Sequence, residues 1–246
     1  MKIAVNTRLL LKNKLEGIGW FSFETLKRIT RQHPEHEFIF LFDRPFDPSF
    51  IFSDNIKPIV LFPQARHPWL FYFYFQYSIP YILKKEKIDL FLSPDGFLSL
   101  RTDIPQLPVI HDINFEHYPE ILPSAISKFY RKYFPLFAQK AKRIATVSEY
   151  SKQDLQETYG ISADKIDVVY NGASSLFRVV DKNRIQKIRD KISNGQPYII
   201  FVGSLNPRKN IVQLLAAFEK YRLDNNTKIK LVLVGHTMWY NKDLTR

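Results

Sequence analysis

The chain has 246 residues, 45% of them hydrophobic and 15% aromatic, which is ample for a packed core and too apolar for a disordered polymer. It has no cysteine, which excludes disulfides and cysteine-ligated metals and makes a reducing cytoplasm the expected setting. The formal charge of +12 attracts phosphates, nucleic acids and anionic lipid alike and does not choose among them.

Met1 and Lys2 run into an apolar stretch that stops at Asn6 and Arg8, so residues 2–6 read as a buried strand and not as a secretion signal. A loop containing Gly17-Ile18-Gly19 leads to a helix over 21–32. Further runs at 37–42, 57–62, 88–93, 107–112, 143–148 and 165–171 are nearly continuous in apolar residues, as strands of a parallel sheet covered on both faces are. Helical patterns separate several of them, at 70–87, 124–142 and 151–159, the last with Ser151 as capping signal and Gly160 as stop. The most apolar window, 68–83, is broken by Gln76, Ser78 and Pro80 and falls short of the roughly 20 residues that cross a membrane. This alternation predicts a doubly wound α/β domain.

Beyond Asn171-Gly172 the strand pattern lapses. The charged stretch 181–191 reads as a connection between domains, ending in Ser193-Asn194-Gly195. A new unit follows, with strands at 198–203 and 228–235 around a helix at 210–221. The expected organisation is an N-terminal domain over 1–178, then a linker and an incomplete second α/β domain over 179–246, with too little chain left to cover a new sheet.

Ligands of open α/β sheets bind beyond the carboxyl ends of the strands. Gly17 and Gly19, after the first strand, would let backbone N–H groups approach a phosphate or sugar, or serve only as loop punctuation; a dinucleotide fingerprint would need a third glycine at Ser22. His111 and Asp112 close the fifth strand, where the histidine could orient or bind a sugar hydroxyl; alternatively it is a satisfied core histidine and Asp112 caps the next segment. Ser148 ends the sixth strand as either a ligand contact or a helix cap.

The most specific local signal is Phe201-Val202-Gly203-Ser204-Leu205-Asn206-Pro207-Arg208-Lys209-Asn210, a strand, a glycine turn, two cations and a helix. Cations at a helix N-terminus oppose its dipole, so Arg208 and Lys209 make electrostatic sense if an anion such as a diphosphate sits between them and the helix. Over 124–142, Lys128, Arg131, Lys132, Lys140 and Lys142 interleave with Phe129, Tyr133, Phe134 and Phe137. This segment could lie on anionic lipid or pack its aromatic side into the core, and Pro135 suggests a kink or two shorter helices. His33, His36 and His67 read as solvated loop residues.

Taken together, Glu16 to Gly19, Val109 to Asp112, Thr146 to Lys152, Lys165 to Gly172 and Phe201 to Asn210 resemble glycosyltransferase family 4, along the whole chain. The resemblance implies the GT-B architecture of two Rossmann-like domains, the second incomplete here, and retaining transfer of a sugar from a nucleotide diphosphate sugar to a saccharide or lipid-linked acceptor in surface-polysaccharide assembly. By position it places His111 and Asp112 at the reacting sugar and Gly17, Gly19, Ser148, Gly203, Ser204, Arg208 and Lys209 at the donor. It implies no cofactor; with no Asp-x-Asp pair in the sequence, no metal site is expected. Glu16, Ser204 and His236 depart from residues common in the family, and the family's pair of glutamates seven residues apart would lie beyond Arg246, so the chain as it stands is expected to bind donor poorly. The resemblance further suggests a cytoplasmic enzyme, with a peripheral contact at the inner membrane face among its partners. A rival reading is a non-catalytic subunit whose unfinished sheet is completed by another polypeptide or by a second copy. Nucleic-acid binding is disfavoured, because no recognised motif accompanies the charge.

Overall fold

In the computed structural model, which describes residues 1–174, 177–205 and 209–235, the chain divides into two units, Met1–Gly172 and Ala173–Arg246. The first unit is built on a five-stranded parallel sheet of β1 (Lys2–Asn6), β2 (Glu37–Phe42), β3 (Ile56–Val60), β4 (Leu90–Ser93) and β5 (Gln106–Pro108), in the order β3-β2-β1-β4-β5. Successive strand residues face opposite sides, and β2 shows the consequence. Ile39 and Leu41 enter one core with Tyr74, Phe75, Ile79, Phe91 and Phe97, while Phe38, Phe40 and Phe42 enter another with Val5, Leu26 and Phe50. Both faces are covered, which is why the strands read as apolar runs and not as alternating ones.

α1 (Gly17–Gln32) follows β1 and begins four residues earlier than its apolar pattern, taking the Gly17-Ile18-Gly19 segment into its first turn. The stretch 68–85 is helical throughout, made of α2 (Pro68–Phe73), a π-helical turn over Tyr74–Ser78 and α3 (Ile79–Lys85). β5 is shorter than the run 107–112: the Val109 N–H still donates to the Ser93 carbonyl of β4 at 2.8 Å while Val109 bridges Ala145 on its other side, and the Ile110 N–H donates to the Ala145 carbonyl at 2.9 Å. That bridge leads to a parallel pair of β6 (Ile144–Thr146) and β7 (Ile166–Val168). Between β5 and β6 lie the short α4 (Asn114–His117) and α5 (Ser124–Lys140).

Two open local readings are resolved. α5 contains Pro135 within a single helix and not two shorter ones, and with Phe134 and Phe137 buried and Phe129 and Tyr133 packed on the core, its aromatic side is structural, as one of the two readings had it. α6 (Glu149–Tyr159) is capped by Ser148, not by Ser151: the Ser148 Oγ accepts the Ser151 N–H at 3.1 Å, and Gly160 ends the helix in the left-handed region.

The second unit begins with a helix where a linker was expected. Over α7 (Lys182–Ser193), Asp181 accepts the Arg184 N–H at 2.8 Å and Asn194 closes the helix at φ 54°. β8 (Tyr198–Val202), α8 (Ile211–Asp224) and β9 (Lys230–Val234) follow, the two strands pairing in parallel from Tyr198↔Lys230 to Val202↔Val234. Ile199, Ile200 and Val202 on β8 remain substantially exposed.

Candidate functional site

The strand order of the first unit reverses its winding between β1 and β4, and it is beyond the carboxyl ends of strands at such a point that open α/β sheets take their ligands. The residues there form a buried polar cluster. Asn6, ending β1, donates through Nδ2 to Ser93 Oγ at 3.1 Å and to Asp95 Oδ1 at 2.7 Å. Arg8, two residues on, donates through Nε to Asp95 Oδ2 at 2.5 Å. Its guanidinium lies 4.5 Å from the centre of the Phe97 ring and 5.2 Å from that of Phe71. Burial works against the Arg8 charge, yet Asp95, Tyr130 and Asp43 together hold its pKa above the ordinary value. Burial raises the Tyr130 pKa, opposed by Arg8.

Gly96 completes this turn at φ +85°, and a Cβ there would meet Phe134 at 2.9 Å. Only glycine combines that backbone with so close an approach of α5.

His111 stands beside this cluster, half-buried. Its Nε2 is 2.9 Å from the Pro94 carbonyl oxygen and its ring meets Phe21 of α1 edge to face at 4.8 Å. A carbonyl can only accept, so Nε2 carries the proton and Nδ1 of the neutral ring is left as an acceptor. Burial lowers the His111 pKa below 6.5, outweighing the Pro94 bond and the nearby Asp95 and Asp112, which favours that neutral form. Such a group can take a hydrogen bond from a sugar hydroxyl without bringing a second positive charge.

Asp112, expected beside it in the chemistry, is exposed, and its Oδ1 accepts the Asn114 N–H at 3.1 Å at the start of α4. The Ser148 hydroxyl is engaged as the cap of α6, and Ser151 Oγ donates to the His111 carbonyl at 3.0 Å, tying the β6 end to the β5 end. Gly17 opens α1 with space around it, whereas a Cβ on Gly19 would lie 3.0 Å from the Leu9 carbonyl oxygen, so Gly19 serves helix–loop packing. No side chain caps α1 and no acid lies in its first turn, leaving its first N–H groups and positive dipole end for solvent or ligand. Phe21 brings this helix start against His111.

In the second unit, Gly203 and Gly235 end the paired strands; the Gly203 N–H donates to the Val234 carbonyl at 2.9 Å, and a Cβ on Gly235 would fall 1.7 Å from the Gly203 carbonyl oxygen. Ser204 is partly buried and Lys209 exposed just before α8, whose Asn210 cap is left-handed with no side-chain bond. Arg208 lies outside the described residues.

The Asn6–Arg8–Ser93–Asp95 cluster was not anticipated as part of the site. Its signal was present: polar Asn6-Thr7-Arg8 and Ser93-Pro94-Asp95-Gly96 each follow an apolar strand directly. A shallow hollow lined by Asp103, Gln106, Lys140, Lys142 and Lys165 lies at the opposite, amino ends of β5, β6 and β7 and shares nothing with this site.

Residues 16–175 match the family model described as Glycosyltransferase Family 4, and residues 182–245 match Glycosyl transferases group 1. O-antigen chain mannosyltransferase B of Escherichia coli is 25% identical over 251 residues, covering 97% of this chain and 65% of the relative. Among solved structures, Anabaena Alr3699/HepE in complex with UDP-glucose superposes with a TM-score of 0.64 at 16% identity, over 100% of this chain and 63% of that one. WaaG, a glycosyltransferase involved in lipopolysaccharide biosynthesis, gives 0.65 at 13% identity, over 94% and 62%. The chain thus spans about two-thirds of the length of these proteins.

Proposed function

The chain belongs to glycosyltransferase family 4 and has a GT-B-type α/β fold, and from that premise we propose that its protein transfers a sugar from a nucleotide diphosphate sugar to a saccharide or lipid-linked acceptor in O-antigen or lipopolysaccharide-type assembly. The observation that carries this reading is His111, held neutral and half-buried at the strand ends, its Nε2 pinned by Pro94 and its ring by Phe21. Oriented in this way, Nδ1 fits the role of acceptor for a hydroxyl of the transferred sugar. The uncapped start of α1, brought to the same edge, fits a phosphate or the acceptor.

In this reading Arg208 and Lys209 neutralise the diphosphate as it leaves, without a metal ion, and Gly203 and Ser204 let it approach the backbone. Ser148 acts by positioning, through its cap on α6 and the Ser151 bond to His111. Transfer proceeds with retention in the cytoplasm. The test incubates the product of the whole gene with uridine and guanosine diphosphate sugars and a lipid-linked saccharide, and reads the anomeric configuration of the new linkage by NMR. Retained configuration is expected; inversion would overturn the mechanism, and binding of flavin or nicotinamide in place of any sugar nucleotide would overturn the function.

The exposed Ile199, Ile200 and Val202 of β8 favour one second reading, a non-catalytic subunit whose small sheet is completed by a further polypeptide. Sedimentation of the chain as a monomer with a protease-resistant second unit would count against it.

A further inference from the structure

We propose that the outward face of the α2–α3 helix is a docking surface for the headgroup region of an anionic phospholipid bilayer. The helix buries Phe71, Tyr74, Phe75, Ile79, Ile82 and Leu83 in the core, and a surface helix with such a stripe ordinarily presents charge on its other side. This one does not: residues 68–83 contain no charged side chain. Its outer face carries Trp69, Phe73, Tyr77 and Tyr81, exposed by 63%, 46%, 48% and 65%.

Three of these rings touch in succession, with Tyr81 one four-residue step beyond them on the exposed side. Steps of four residues overshoot a full α-helical turn by about 40°, so a regular helix would wind four such residues away from one another's face. The wider π-turn over Tyr74–Ser78 takes back part of that rotation. Trp69 and Phe73 meet edge to face at 6.3 Å, and Phe73 and Tyr77 stack at 5.6 Å.

Cations are built into the strip. The Arg101 guanidinium sits 4.4 Å from the Tyr77 ring centre, and Lys85 Nζ sits 5.9 Å from that of Tyr81. The Arg101 loop is clamped from inside: Gln76, in the π-turn, donates to the Leu98 carbonyl at 3.1 Å and accepts the Leu100 N–H at 2.8 Å. Arg66 and Lys84 are exposed on the same stretch, and no acidic residue occurs from 55 to 85. Glu86, the next acid, is paired with Lys57 at 2.8 Å.

An uncharged aromatic strip rimmed by cations selects its occupant by chemistry. Tryptophan and tyrosine favour the boundary between headgroups and acyl chains, and lysine and arginine favour anionic headgroups. A second copy would set Arg66, Lys84, Lys85 and Arg101 against their own counterparts, which opposes self-association. With its inner face in the core the helix lies in the membrane plane and does not cross it, and among the described residues no helix is long and apolar enough to span a membrane. This surface stands independently of the sugar-transfer reading.

The test is co-sedimentation with vesicles of phosphatidylethanolamine and phosphatidylglycerol, beside vesicles of phosphatidylcholine alone. Replacing Trp20 and Trp239 by Phe leaves Trp69 as the remaining tryptophan, so its quenching by brominated lipid reports insertion directly. Expected are salt-sensitive binding to the anionic vesicles only, quenching of Trp69, and at least a tenfold loss of binding in the Trp69→Ser, Tyr77→Ser, Tyr81→Ser triple variant with its thermal melt unchanged. Arg101→Gln and Lys85→Gln should each weaken binding about fivefold. Binding unaltered by the triple variant, equal binding to neutral vesicles, or loss of a dimer in place of vesicle binding would each overturn the proposal.

Discussion

Arg8 Nε lies 2.5 Å from Asp95 Oδ2, and this pair ties the end of β1 to the end of β4 where the sheet reverses its winding. Both side chains are almost wholly buried, so removing Arg8 leaves the Asp95 carboxylate buried without its counter-charge, held only by neutral donors such as Asn6 and Ser93. Arg8→Met should cost the first unit about 3–5 kcal/mol in urea unfolding followed by circular dichroism. Adding Asp95→Leu should return much of that loss, because the uncompensated charge leaves with it.

Gly96 and Gly160 both sit at positive φ, +85° and +65°, but only Gly96 has a neighbour, Phe134 at 2.9 Å, in the way of a Cβ. Gly160→Ala should therefore cost about 1–2 kcal/mol, the backbone contribution alone. Gly96→Ala should cost clearly more and alter the near-ultraviolet spectrum of the aromatic core. Thermal melts of the two variants side by side provide the comparison.

Acid should weaken the first unit through His111. Burial holds its folded pKa below 6.5, so as the pH falls through that value the unfolded chain takes up a proton that the folded ring refuses. The stability is present above 6.5 and is lost as the pH descends toward the folded value. His111→Gln should flatten the fall in melting temperature between about pH 7 and pH 5. An equally steep fall in the variant would assign the titration elsewhere.

In the second unit, Asp181→Ala removes the oxygen that accepts the Arg184 N–H at 2.8 Å. Helix caps of this kind are worth about 1 kcal/mol, and amide hydrogen exchange over α7 should accelerate by about fivefold.

Much of the fold could be read from residue order because buried parallel strands have a plain signature. β1 and β2 lie where the apolar runs lie, end to end. The run at 107–112 overstates the length of β5, since Val109 and Ile110 are as apolar as strand residues yet lie beyond the strand, where Val109 bonds Ser93 and bridges Ala145 and the Ile110 N–H turns to the Ala145 carbonyl. α7 was hidden by charge: Ile185, Ile188 and Ile192 have helical spacing, but all three are exposed, and the surrounding lysines and arginines look like a linker. At the site, His111 could be singled out as a titratable residue ending an apolar run. Arg8 and Asp95 each carry the same signal, but that they pair could not be read, because they are far apart in sequence and meet only through the strand order β1-β4. The aromatic residues of α5 and of the α2–α3 helix look alike in sequence. Packing alone separates the buried Phe134 and Phe137 from the exposed Trp69 and Tyr81.

In the proposed function, Arg208 and Lys209 receive the phosphates of a nucleotide diphosphate sugar. Calorimetric titration of the whole-gene protein with uridine and guanosine diphosphate sugars tests it most directly, with Arg208→Gln and Lys209→Gln as partners. Because charge-assisted hydrogen bonds are worth about 1.5–3 kcal/mol, each substitution should weaken binding of the preferred donor at least tenfold. Absence of binding to every such sugar, or binding that both variants leave intact, would contradict the account.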